Sequence, residues 1–145
     1  MDKDQNSLLV LLNQVDEPLS MTKIQKLMFL IKNETDLKLD LEFVPYKYGP
    51  FSKRIYEIID EFETDGFLKI EHSAFNDNSK FVILTRKGKD EASIIYAKMD
   101  NVERESINSV VKRWGKESLT SILFYTYLTY PESAEASVIK NNILH

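Results

Sequence analysis

The 145-residue chain has the length of one ordinary domain and should bury about 68 to 70% of its extended-chain surface on folding. Its 43% hydrophobic and 29% charged residues, with only 4 Gly and 4 Pro, exclude collagen-like, low-complexity and largely disordered classes. The formal net charge of −4 argues against a protein that coats nucleic acid over its whole surface, because such binding draws on Lys and Arg.

No run approaches about 18 apolar residues, and the opening Met1-Asp2-Lys3-Asp4-Gln5-Asn6 is polar and acidic, which argues against a membrane span and a secretory signal. With no cysteine, the chain lacks thiolate nucleophiles, disulfides and cysteine metal sites, as expected of a reducing compartment. His72 and His145 are the only imidazoles, too few for a multi-histidine metal site. Ser106, Ser109, Ser118 and Ser121 have no histidine in usable context, and there is no glycine-rich phosphate loop. The expectation is a cytoplasmic, non-enzymatic single domain over residues 1–145, without cofactor, metal or membrane partner.

Charge is segregated along the chain. Residues 20–56 carry seven Lys/Arg against four acids, residues 57–66 carry five acids and no base, and residues 67–90 return to five bases against three acids. A solvated surface in ordinary proportions is the plain alternative to two basic binding segments.

Leu8, Leu9, Leu11, Leu12 and Val15 recur at helical spacing, predicting a first helix over residues 5–15. Thr22 and Gln25 have capping-box spacing and open a second helix. Its apolar positions Ile24, Leu27, Met28, Leu30 and Ile31 leave Lys23, Gln25, Lys26 and Lys32 on or near the solvent side. Leu37, Leu39 and Leu41 alternate with Lys38, Asp40 and Glu42 and the segment continues into Phe43-Val44-Pro45-Tyr46-Lys47-Tyr48, so part of this stretch reads as a short strand. Gly49-Pro50 is a break, with Pro50 near the first turn of a third helix. Phe51, Ile55, Ile58, Ile59 and Phe62 form the apolar stripe of that helix and Gly66 caps it.

Residues 67–72 and 80–85 are rich in aromatic and β-branched types and flank a polar turn, a β-hairpin pattern. Thr85 caps a fourth helix to about Met99; residues 102–114 form a fifth, and a sixth runs from Ser118 or Thr120 to Pro131. Asn141, Asn142 and His145 are expected to fray.

Three helices, a short strand and a hairpin directly after the third helix make the order of a winged helix, a helix-turn-helix variant. The fold class is therefore α+β and mostly helical, with a core over about residues 5–86 and a C-terminal helical extension over about 87–140. The hairpin tip, residues 76–80, is the wing. The long connection between helices two and three departs from the short turn of a plain helix-turn-helix.

Particular residues carry a family resemblance: Lys23-Ile24-Gln25-Lys26-Leu27-Met28-Phe29-Leu30, then Phe43-Val44-Pro45-Tyr46-Lys47-Tyr48-Gly49-Pro50-Phe51-Ser52, Ile55-Tyr56 and Asp65-Gly66-Phe67-Leu68. They resemble small prokaryotic winged-helix proteins of the YwgA type and, more distantly, the SocA/Panacea antitoxin domain. Tyr125-Thr126-Tyr127-Leu128-Thr129-Tyr130-Pro131-Glu132 is similar to a segment of the former group. The resemblance covers roughly residues 20–140 and contains no catalytic motif. It implies a winged-helix fold and, through the antitoxin domain, neutralisation of a partner protein.

Tyr46, Lys47, Tyr48, Lys53 and Arg54 cluster around Gly49-Pro50 beside a helix N-terminus, where dipole and free amides attract phosphate. With Lys80 on the wing, they form the candidate site for double-stranded DNA. Tyrosines packing the turn beneath solvated cations are the alternative. Glu57, Asp60, Glu61, Glu63 and Asp65 oppose lengthwise insertion of the helix into a groove. The aromatic group Trp114, Phe124, Tyr125, Tyr127 and Tyr130 reads as core plus the surface of a homodimer. The leading expectation is a DNA-binding transcriptional regulator in a regulatory or defence setting. The competing one is an antitoxin-like or adaptor module that uses the same frame to bind a protein.

Overall fold

In the computed structural model, which describes residues 1–73 and 80–144, helix α1 (Lys3–Val15) begins at a capping box. The Asp2 carboxylate accepts from the Gln5 amide at 2.8 Å, and the Gln5 side chain accepts from the Asp2 amide at 2.8 Å. The chain then makes a two-residue strand, β1 (Leu19–Ser20), and enters α2 (Met21–Glu34). Ser20, rather than Thr22, caps α2 by accepting from the Lys23 amide. The Gln25 amide group, which a Thr22 capping box would use, is engaged elsewhere.

Helix α2 is buried almost all round, from Ile24 through Ile31 without a break, as befits a helix at the centre of a core. Helix α5 (Asn101–Trp114), α6 (Leu119–Thr129) and strand β3 (Gly49–Phe51) surround it. The expected solvent-side placement of Lys23, Gln25, Lys26 and Lys32 is therefore corrected. Gln25 and Lys26 are fully buried, Lys23 and Lys32 half-buried, and all four donate to backbone carbonyls.

Leu37, Leu39 and Leu41 are buried alternately with exposed neighbours, yet they join no sheet. The extended segment is held by side chains instead: Asp4 accepts from the Asp40 amide at 3.0 Å and Lys32 donates to the Leu41 carbonyl. Of the stretch expected to hold a strand, the later part forms it, as β2 (Val44–Tyr46), paired antiparallel with β3 in the register Val44↔Phe51 and Tyr46↔Gly49. Pro50 and Phe51 consequently belong to a strand and not to the third helix. That helix, α3 (Lys53–Thr64), buries Ile55, Ile58, Ile59 and Phe62 as the spacing predicts.

Strands β4 (Leu68–His72) and β5 (Lys80–Leu84) form the expected hairpin, and β1 adds to β5 through Leu19↔Val82. The resulting antiparallel sheet has the order β1-β5-β4. The tip, residues 76–79, lies outside the described residues, as does His145. Helix α4 (Arg86–Lys98) starts at Thr85 and α5 at an Asp100 capping box. After α6, capped by Ser118, come a 3-10 turn (Pro131–Ala134) and a short helix, α7 (Lys140–Leu144), packed on α6 where fraying is expected from sequence.

The chain is thus α+β and mostly helical, with small antiparallel sheets. One buried cluster runs from Leu8 in α1 to Ile122 in α6, and α1 packs chiefly on α4 and α5. Among the described residues, no helix is long and apolar enough to cross a membrane.

Gly88, inside the first turn of α4, is required by close approach: a Cβ there would stand 1.9 Å from the Phe67 carbonyl oxygen. Gly88→Ala should lower stability by about 1 to 3 kcal/mol, despite alanine's better helix propensity, as read from the urea midpoint.

A polar lock and an aromatic ridge

Residues 35–52 connect α2 to α3, and buried polar groups of α2 determine how this connection ends. Gln25 donates its amide to the Ser52 carbonyl at 2.9 Å and accepts from the Ser52 amide at 2.8 Å. Lys26 donates to the Pro50 carbonyl at 2.9 Å. Gly49, at φ 91°, leaves no room for a side chain: a Cβ would lie 2.9 Å from Leu123 Cδ2 and 3.0 Å from Lys26 Cε. From the far side, Tyr127 bonds Ser137 at 2.8 Å, and the Val138 amide donates to the Lys47 carbonyl at 2.9 Å. The β2-β3 hairpin is therefore gripped between α2 and the C-terminal segment.

This grip sets what the hairpin presents. Tyr46, Lys47 and Tyr48 are exposed. The Tyr46 ring stacks on Phe51 with centroids 4.8 Å apart, and Phe51 meets Tyr56 of α3 at 5.3 Å. Tyr46 and Tyr56 remain 46% and 38% exposed, so the three rings form a surface ridge rather than core. Burial and the nearby Tyr46 raise the Tyr56 hydroxyl above its usual pKa. Phe51 and Tyr56 are the members of this site that sequence reasoning does not single out. Tyr56 has a legible signal, since it falls outside the Ile55, Ile58, Ile59, Phe62 stripe; the strand that turns Phe51 to the surface has none.

The candidate cations differ in circumstance. Lys47 and Lys53 are exposed and make no ion pair among the described residues. Arg54 is surrounded by carboxylates: Glu61 at 3.0 Å, Asp2 at 3.4 Å and Glu57 at 3.7 Å. Gln5 also donates to Glu61 at 2.7 Å, tying this network to the start of α1. Lys80 is exposed, but it belongs to the other sheet, opposite His72.

The C-terminal aromatics divide. Trp114 and Tyr127 are buried, Tyr125 and Tyr130 both donate to Glu34 at 2.5 and 3.0 Å, and Phe124 and Leu128 are exposed on α6. Among the described residues, no group of three or more His, Asp or Glu side chains could hold a metal ion. No protein-family model matches the chain, and no curated protein matches it significantly.

Burial lowers the Lys26 ammonium to about 7 from its usual 10.5. The unfolded chain keeps that proton well above pH 7 while the folded chain releases it, so this group makes stability rise with pH between the two values. The slope is at most about 1.4 kcal/mol per pH unit. Lys26→Met should abolish the rise, leaving the urea midpoint flatter between pH 7 and 9 than that of the parent. Gly49→Ala, combining a left-handed φ with contact against Leu123, should cost about 2 to 4 kcal/mol in the same measurement.

Proposed function

We propose that the chain is a winged-helix protein of the antitoxin or adaptor kind, which binds a protein partner through the β2-β3 hairpin and the outward face of α3. The fold reading is supported by the order α1-β1-α2-α3-β4-β5, with β1 added to the hairpin strand β5. The inserted β2-β3 hairpin occupies the place of the short turn in a plain helix-turn-helix. Kinship with the YwgA type and the antitoxin domain rests on the residues of α2 and the Tyr-Gly-Pro element, which here form one hydrogen-bonded unit.

The observation that carries the functional reading is the company of Arg54. Its guanidinium already faces Asp2, Glu57 and Glu61, and on another face of α3 the exposed tyrosines form a stacked ridge with Phe51. A helix laid in a groove would bring Glu57, Asp60, Glu61 and Glu63 toward phosphates, which repel them. Exposed, pre-stacked tyrosines are instead typical anchors of protein interfaces.

The exposed Lys47 and Lys53 beside the start of α3 favour a second reading, a DNA-binding regulator, with Lys80 on the wing strand touching the backbone. Exposed Phe124 and Leu128 on α6 are the surface on which a homodimer would form in either case.

Fluorescence-anisotropy titration with a random duplex and with DNA upstream of the protein's own gene, at two salt concentrations, separates the readings. Protein binding predicts no salt-sensitive association with either duplex. Tighter, salt-sensitive binding to the upstream duplex would overturn it. Replacing both Lys53 and Arg54 with Ala would in that event lower the salt slope by about 2.

A further inference from the structure

We infer that the partner segment read by this surface is amphipathic and cationic: an apolar or aromatic face flanked by Lys and Arg. This rests on the protein-binding reading above and names the chemistry of its partner.

The apolar part of the surface is the ridge of Tyr46, Phe51 and Tyr56, extended by Val44, which is 55% exposed and cross-strand from Phe51. The ridge continues along α3. Tyr56, Asp60 and Glu63 stand at i, i+4 and i+7, one face of the helix, flanking the buried stripe. All three are exposed, and the side-chain carboxylates of Asp60 and Glu63 make no ion pair or hydrogen bond among the described residues. Glu57 and Glu61 share the single charge of Arg54 with Asp2, so that group stays net negative, and the unpaired carboxylates of Asp60 and Glu63 add to it where the aromatic ridge ends.

Charge complementarity then selects the occupant. A cation passing over exposed tyrosine faces toward two unpaired carboxylates gains cation-π attraction and electrostatic steering together. An acidic segment would meet repulsion at the same place. Lys47 and Lys53 lie at the hairpin end, so the surface is polar along its length and would orient the segment with its cations over α3. A second exposed apolar pair, Phe124 and Leu128, lies in a groove lined by both Arg113 and Glu117; with one charge of each sign beside it, it serves as an internal control.

The test uses the full chain and a fluorescein-labelled amphipathic peptide with Leu and Trp on one helical face and Lys and Arg on the other. The comparison peptides are the same sequence with Glu for every Lys and Arg, and an oligolysine without the apolar face. The cationic amphipathic peptide should bind, and both comparison peptides should bind at least about tenfold more weakly. Tyr56→Ala and the double variant Asp60→Lys, Glu63→Lys should each weaken binding about tenfold. Tyr56→Phe and Phe124→Ala should leave it unchanged, with thermal unfolding reporting that each variant is folded. Equal binding of the acidic peptide, no binding of the cationic one, or indifference to the Tyr56 and Asp60/Glu63 variants would overturn the inference. If these fail while neither duplex binds, only the partner's chemistry is wrong. Salt-sensitive duplex binding removes the protein-binding reading itself.

Discussion

The arrangement depends on polar side chains of a central helix bonding to the backbone of the connecting segments packed around it. Lys23 reaches the Gly115 carbonyl, Gln25 both backbone groups of Ser52, Lys26 the Pro50 carbonyl and Lys32 the Leu41 carbonyl. Each bond contributes only about 0.5 to 1.5 kcal/mol net, but a buried group left without its partner costs about 1 to 3 kcal/mol. Such groups act on specificity as much as on stability. An apolar α2 could pack against many conformations of residues 35–52, whereas Gln25 and Lys26 accept few.

The surface follows from that interior constraint. With Pro50 and Ser52 held, the hairpin turns through Lys47 and Tyr48, Tyr46 faces outward and Phe51 bridges it to Tyr56. Helix α3 starts immediately after the lock, so its orientation is set from within the core as well as by its own Ile and Phe stripe. The ion pairs of Arg54 are exposed and contribute little to stability. Their effect is on the field outside: they offset a cation at the start of α3 and leave the negative charge of Asp60 and Glu63 unmatched.

The helices were largely legible because their signals are local. Capping at Thr85, the apolar spacing of α3, and the α5 and α6 segments all report the conformation of neighbouring residues. The β4-β5 hairpin was legible for the same reason. Strand β1 was not, because two residues between helices become a strand only through a partner some sixty residues away. Residues 37–41 show the converse case. Their alternation truthfully reports alternate burial, yet the backbone partners are an aspartate and a lysine rather than another strand.

For the site, residue types were readable and their relations were not. Tyr46, Lys47, Tyr48, Lys53 and Arg54 cluster in sequence, but nothing local says that Arg54 meets Asp2 from the other end of the chain. Lys26 illustrates the limit most clearly, since charge and helical spacing argue for solvent while the structure buries it against Gly49 and Pro50. By itself, then, the sequence determined composition, helix positions and the hairpin, which depend on short-range periodicity and capping. The tertiary structure alone decided which polar groups are buried, which charges are matched and which aromatics remain at the surface, because those depend on contacts between segments far apart along the chain.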